Sequence, residues 1–158
     1  MNSMNEWPRG QWLRLWSALP ATLVRATARQ LAERYEVEDL ELAQSGLGLM
    51  PLSDSALGET YFIGEVPLAR SQVRLASPAQ GPVEGAATLV DDRIGLVRDL
   101  AILDAAVSAR LPGHESAVEL LEQGATVVAE SDHQRRALLA ATRVDFALLG
   151  TAEEDDDE

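Results

Sequence analysis

The sequence contains neither cysteine nor lysine. Without cysteine there are no disulfides, no thiolate nucleophile, no cysteine–zinc site and no iron–sulfur ligation, a pattern that fits a cytoplasmic protein. Without lysine there is no Schiff-base amine, no low-pKa amine base and no phosphate-loop lysine. All thirteen basic residues are arginine, a side chain that binds anions but stays charged and so cannot act as a base near neutral pH. Histidine is nearly absent as well. His114 and His133 have no second histidine or carboxylate three or four residues further on, the spacing that builds a helical metal site, and Asp132 points about 100° away from His133 on a helix. Both read as surface histidines, and no metal site is expected. The serines form no nucleophile elbow. No pair of carboxylates sits in an apolar setting that would tune one as acid and the other as base. No apolar run approaches the ~20 residues of a membrane span, and the stretch MNSMNEWPRGQWLRLW lacks the apolar segment of a signal peptide. Neither export nor membrane insertion is expected, and no self-sufficient catalytic centre.

What is present fits one domain over residues 1–150, large enough to bury roughly two thirds of its unfolded surface without a metal or disulfide staple. The net charge is −13, of which six units come from Glu153, Glu154, Asp155, Asp156, Asp157 and Glu158, leaving −7 for the rest. The tail, residues 151–158, is a like-charge block and is expected to be disordered. A chain of this sign repels phosphate backbones, so nucleic acid is not an expected partner.

The pattern of elements is α+β: a small antiparallel sheet packed against several amphipathic helices. Over Glu6–Leu19 the residues Trp12, Leu13, Leu15, Trp16 and Leu19 recur at helical spacing. Two tryptophans on one face want a large surface to cover, either this protein's own sheet or a partner subunit. Pro20 suits the first turn of a second helix running to about Arg34, with Leu23, Val24 and Leu31 inward and Arg25, Arg29 and Arg34 outward. Asp39–Gln44 and Leu47–Leu52 read as two short strands joined at a Ser45-Gly46 turn. The two-apart glycines of SGLGL lack the third glycine and following helix of a dinucleotide fingerprint. Ser77–Gly85 reads as a Pro/Gly loop and Ala86–Val90 as a strand, with Asp91 and Asp92 as N-caps of the clearest helix. Its stripe is Leu96, Leu100, Leu103, Val107 and Leu111, Pro112-Gly113 ends it, and Asp104 within it is an exposed or paired carboxylate. A further helix starts at Glu115, is interrupted or bent at Gly124 and resumes to Ala141, its polar middle ESDHQRR facing solvent or a partner. Arg143–Leu149 reads as a closing strand.

The organising stretch is Gly58–Leu75, GETYFIGEVPLARSQVRL, in which Thr60–Val66 and Leu68–Leu75 alternate as strands do. Ala69, Ser71, Val73 and Leu75 share one face, and Leu68, Arg70, Gln72 and Arg74 share the other. Pro67 donates no hydrogen bond and marks an edge, a bulge or a bend. Arg70 and Arg74 stand about 13 Å apart along their face. That is too far to fork one carboxylate but suits a long anion, an acidic partner, or simple balance of nearby acids.

This stretch resembles the signature of the PhnG family, the G subunit of the bacterial carbon-phosphorus lyase core complex, through Gly58, Glu59, Phe62, Gly64, Glu65, Arg70, Val73 and Leu75. Two more blocks are similar, Leu100-Ala101-Ile102-Leu103-Asp104-Ala105 and Arg143-Val144-Asp145-Phe146, in the same order, so the resemblance covers about residues 10–150. The chain departs from the family's usual pattern in VEGAATLVDDRI and in having Ala69 where threonine often stands. The resemblance implies phosphonate catabolism in a hetero-oligomer with the H, I and J subunits, two copies of each. In that complex methylphosphonate displaces adenine from ATP, giving α-D-ribose 1-methylphosphonate 5-triphosphate. The nucleosidase-type step is assigned to I, and the radical carbon-phosphorus cleavage, with its iron–sulfur cluster and S-adenosylmethionine, to J. By itself this subunit is then expected to hold no cofactor and no catalytic residue. Trp12 and Trp16 are its candidate partner contacts, and Arg70 and Arg74 its candidate substrate contacts.

Overall fold

The computed structural model describes residues 7–56, 58–77 and 80–142. Their order is α1 (Arg9–Ser17), α2 (Ala21–Ala32), β1 (Glu36–Ser53), β2 (Thr60–Ser77), β3 (Gln80–Leu89), α3 (Ile94–Ser108) and α4 (Glu115–Ala141). The three strands form an antiparallel sheet in the order β1-β2-β3. This is an α+β fold, as the alternation and helical stripes predict. The closing strand expected at Arg143–Leu149 and the acidic tail lie outside the described residues.

Helix α3 is the axis of the molecule. The predicted stripe is buried, and so are Val97, Ala101, Ile102, Ala105 and Ala106, because α3 is covered by the sheet and by α1, α2 and α4. A helix apolar nearly all round has to be enclosed in this way. On the sheet side the contact is close: a Cβ at Gly85 of β3 would overlap the Ala101 carbonyl oxygen and the Ala105 amide. Glycine on the strand, with alanines on the helix, is what lets the two backbones meet. The sheet offers α3 the face of β2 that Ala69, Ser71, Val73 and Leu75 share, and all four are buried.

The Asp91–Asp92 expectation is corrected in detail. The residue before α3 is Arg93, and the Asp91 carboxylate instead accepts from the Arg93 backbone N–H at 2.9 Å and from its Nε at 2.7 Å. The side-chain bond from Arg93 is the largest reason that the Asp91 carboxyl is lowered from 3.8 to about 2.

The strands are longer than the turn residues suggest. Ser45 and Gly46 do not turn; they pair with Ala69 and Leu68 inside one continuous β1. Register shifts around Asp39–Gln44 absorb the irregular stretch. The reversal falls at Asp54–Glu59, where Asp54 accepts from Gly58 N at 2.9 Å and, through its side chain, from Ala56 N at 2.7 Å. Gly58 has φ +69°, a left-handed conformation that suits glycine. Likewise β3 begins at Gln80 rather than Ala86, since an edge strand tolerates Pro82 where a central one would not. Pro67 sits where β2 has β1 as its neighbour but is already beyond Ala69↔Leu89, the last pair with β3.

The helices differ from expectation at Gly124, which neither interrupts nor bends α4 into two. Helix α4 runs unbroken for 27 residues. Gly124 is the crossing point with α1, where a Cβ would collide with the Leu15 carbonyl. Leu23, expected inward, is exposed, and Thr27 and Ala28 take the buried side of α2 with Val24 and Leu31.

Two outcomes follow. Gly124→Ala gains about 1 kcal/mol of helix propensity but places a methyl against unyielding backbone, an overpacking cost of about 1–3 kcal/mol. The net expectation is a lower urea midpoint, and a raised midpoint would show that α1 moves aside freely. The depressed Asp91 carboxyl contributes stability that is present above pH 3.8 and fades as pH falls towards about 2. The group is near the surface, so the effect is small. Asp91→Asn is expected to flatten the acid limb of the urea midpoint plotted against pH, and an unchanged slope below pH 4 would contradict this.

Candidate functional site

Of the sequence-predicted site residues, the tryptophans stand inside the core and not on the surface. Trp16 is fully buried, Trp12 nearly so, and their rings lie 5.9 Å apart. The Trp16 indole donates to the Ala117 carbonyl of α4 at 2.9 Å, and the Trp12 indole to the Trp7 carbonyl at 3.0 Å. The large surface they cover is α4, through the α1–α4 crossing, and not the sheet. Their polar N–H groups are satisfied within the chain, as buried indoles require.

Arg70 and Arg74 lie together on the solvent face of the sheet, and each meets a carboxylate. Arg70 Nη2 is 2.6 Å from Glu41 Oε1 on β1. Arg74 bridges Glu38 of β1 at 3.0 Å and Glu84 of β3 at 2.8 Å. Gln72 adds a bond to Glu84 at 3.2 Å. The bond from Arg74 to Glu84 is the chief reason its guanidinium pKa is raised. Alternation brings these arginines to one face, and antiparallel pairing puts acids beside them. The result is a cross-strand ladder of opposite charges.

Asp104 turns out to be paired and buried. It accepts from Arg9 Nε at 2.9 Å and Nη2 at 2.6 Å, and from the Ala86 backbone N–H at 3.0 Å. One carboxylate thus ties α1, β3 and α3 together, and the hydrogen bonds that Arg9 donates to Asp104 are the chief reason that the Arg9 pKa is raised. A second fork, Arg98 to Asp39 at 2.7 and 3.1 Å, ties α3 to β1. Both pairs hold elements of the fold together. Among the described residues no group of three or more His, Asp or Glu is placed to hold a metal ion. His133 is exposed on α4, while the His114 ring is partly buried, with Nδ1 2.9 Å from the Leu111 carbonyl.

Residues 7–150 match the family model described as phosphonate metabolism protein PhnG. The chain belongs to the PhnG family. No curated protein matches the chain. On this structure the PhnG family resemblance through Gly58–Leu75 falls on the turn and nearly all of β2. The Leu100–Ala105 block is the enclosed middle of α3, including the Asp104 anchor.

The feature that sequence reasoning missed is the far half of the β1–β2 hairpin. Beyond Ala69↔Leu89 the two strands continue without β3 as a free ribbon. On the side continuous with the core face stand Leu47 opposite Pro67, Leu49 opposite Glu65, and Pro51 opposite Phe62. The other side carries Leu68, Val66, Met50, Leu52 and Tyr61, with Leu68 lying over Gly48. Ile63 is the extra residue of a bulge between the pairs Met50↔Gly64 and Pro51↔Phe62. Leu49 is 58% exposed and Phe62 62%. The visible signal was GLGLMPL facing TYFIGEVPL, apolar at both odd and even positions. The assumed turn at Ser45-Gly46 concealed that the two segments are partners. Among the described residues no helix is long and apolar enough to cross a membrane.

Asp104→Ala is expected to destabilise the fold by about 2–3 kcal/mol, since it strands the Ala86 N–H while Arg9 remains hydrated. Arg9→Ala leaves the buried Asp104 carboxylate short of its arginine partner and is expected to lower the urea midpoint at pH 7. An unchanged urea midpoint for Arg9→Ala at pH 7 would contradict the anchor.

Proposed function

We propose that this chain is an accessory, non-catalytic subunit of the carbon-phosphorus lyase core complex, acting in the cytoplasm with the H, I and J subunits, two copies of each. In that role it supports the displacement of adenine from ATP by methylphosphonate, with formation of α-D-ribose 1-methylphosphonate 5-triphosphate. The observation that carries this reading is the family match over residues 7–150. The side-chain chemistry supports the accessory part. A chain without cysteine or lysine, whose buried carboxylate Asp104 is spent on Arg9 and Ala86, is poorly equipped to hold a cofactor or move protons for a substrate. An exposed apolar ribbon suits a subunit that is completed by its partners.

The alternative within the same complex is direct contact of Arg70 and Arg74 with the anionic substrate. A free-standing anion-binding module would use the same two residues. Their pairing with Glu38, Glu41 and Glu84 favours the accessory reading, because an anion would have to displace carboxylates already in place and bind beside them.

The test is co-expression of the tagged chain with H, I and J, followed by measurement of adenine released from ATP in the presence of methylphosphonate. Retention of the partners, with adenine release that depends on this chain, is expected. Arg70→Ala and Arg74→Ala are expected to leave kcat and KM within about twofold of the parent complex. A KM rise of about tenfold or more in an intact complex would instead establish substrate contact.

A further inference from the structure

Resting on that subunit reading, we propose that the free half of the β1–β2 hairpin is the docking arm of this chain, and that it is gripped on both faces by an apolar groove of a different protein whose rim carries arginine or lysine. The ribbon pairs Ser45–Ser53 with Thr60–Ala69. At about 3.3 Å per residue it is roughly 30 Å long, and two strands give it a width of roughly 10 Å.

Its composition separates it from the rest of the sheet. Where β3 is present, one face is core and the other is the ladder of Arg70, Gln72 and Arg74 with glutamates. Where β3 stops, the ladder stops too, and both faces become mostly apolar, with Glu65 as the one charged residue of the paired strands. A solvated two-stranded ribbon keeps at least one polar face and is marginal even then. This one is therefore completed by something else.

The manner of completion follows from edges and area. Pro51 and Pro67 stand within the ribbon, and the bulge at Ile63 breaks its ladder. Prolines and bulges blunt strand edges against the addition of another strand. Burial by the faces remains. One face offers roughly 300 Å² and both together roughly 600 Å², while a stable interface needs about 800 Å² per partner. A flat surface against one side is thus too little, and a groove that closes over both sides comes near the requirement.

Charge selects the occupant. Between Leu42 and Val66 the charged residues are Asp54, Glu59 and Glu65, with no arginine among them. In a second copy the groove would have to come from a chain of net charge −13, and arm against arm would bring these acids together. A basic rim on another protein meets them favourably and speeds encounter.

The experiment uses the full chain, tagged and co-expressed with H, I and J. Leu49→Asp with Phe62→Asp is compared with Leu139→Asp, an equally exposed apolar site on α4 (61%). The arm variant is expected to lower co-purified partner by about tenfold or more, and Leu139→Asp to change it by less than about twofold. Neutralising Asp54, Glu59 and Glu65 to Asn, Gln and Gln should weaken capture about threefold, and a photo-crosslinker at Phe62 should join a partner subunit. Unchanged capture by the soluble, folded arm variant overturns the arm while leaving the subunit reading intact, whereas failure of the parent chain to retain any partner overturns both. Tighter capture by the neutralised variant overturns the basic rim. A dimer of the isolated chain that the arm variant makes monomeric would assign the arm to a second copy instead.

Discussion

The structure depends on how closely α3 lies on the sheet. Gly85 admits the helix backbone at Ala101 and Ala105, and this contact decides which face of β2 is inside. It also makes α3 apolar on nearly every side, so that α1, α2 and α4 have to cover what the sheet leaves. The carboxylate of Asp104 sits in this seam and accepts from a strand amide and from an arginine of α1. A charge so placed is tolerable because its oxygens are fully engaged, and it holds three elements in one register.

With the seam in place, the sheet divides by its neighbours and not by its sequence. Over the stretch flanked by β3, β2 is central, half covered and half solvated. Past Leu89 the same strand runs on as part of a two-stranded ribbon with apolar residues on both sides. The body of the protein thus satisfies itself, down to the indole N–H groups of Trp12 and Trp16, while the ribbon does not. That asymmetry suits a subunit: a domain whose core is complete, carrying a two-stranded element with exposed apolar side chains.

The residues that a sequence reading favours as sites are engaged within the chain itself. Tryptophan is enriched at interfaces because it is large and amphipathic, but those properties serve equally well under α4. Arg70 and Arg74 are similarly absorbed by the acids that pairing sets beside them. Family membership over residues 7–150 therefore places the chain in phosphonate metabolism without marking any of these four as a site.

Local pattern by itself determined much of this protein. The stripe of α3, the alternation of β2 and the amphipathic helices around Trp12 and Val24 are properties of periodicity, which each segment carries whatever surrounds it. The missing chemistries were legible too, since a side chain that is absent cannot be supplied by folding. Tertiary structure alone decided the rest. Ser45-Gly46 has turn composition, yet pairing with Ala69 and Leu68 holds it extended. Gly124 has the composition of a helix break, yet it is the clearance for Leu15. Val90 and Phe62 are apolar and exposed, while Thr27 and Asp104 are polar and buried. Each outcome depends on a neighbour distant in sequence, and neither propensity nor period contains that neighbour.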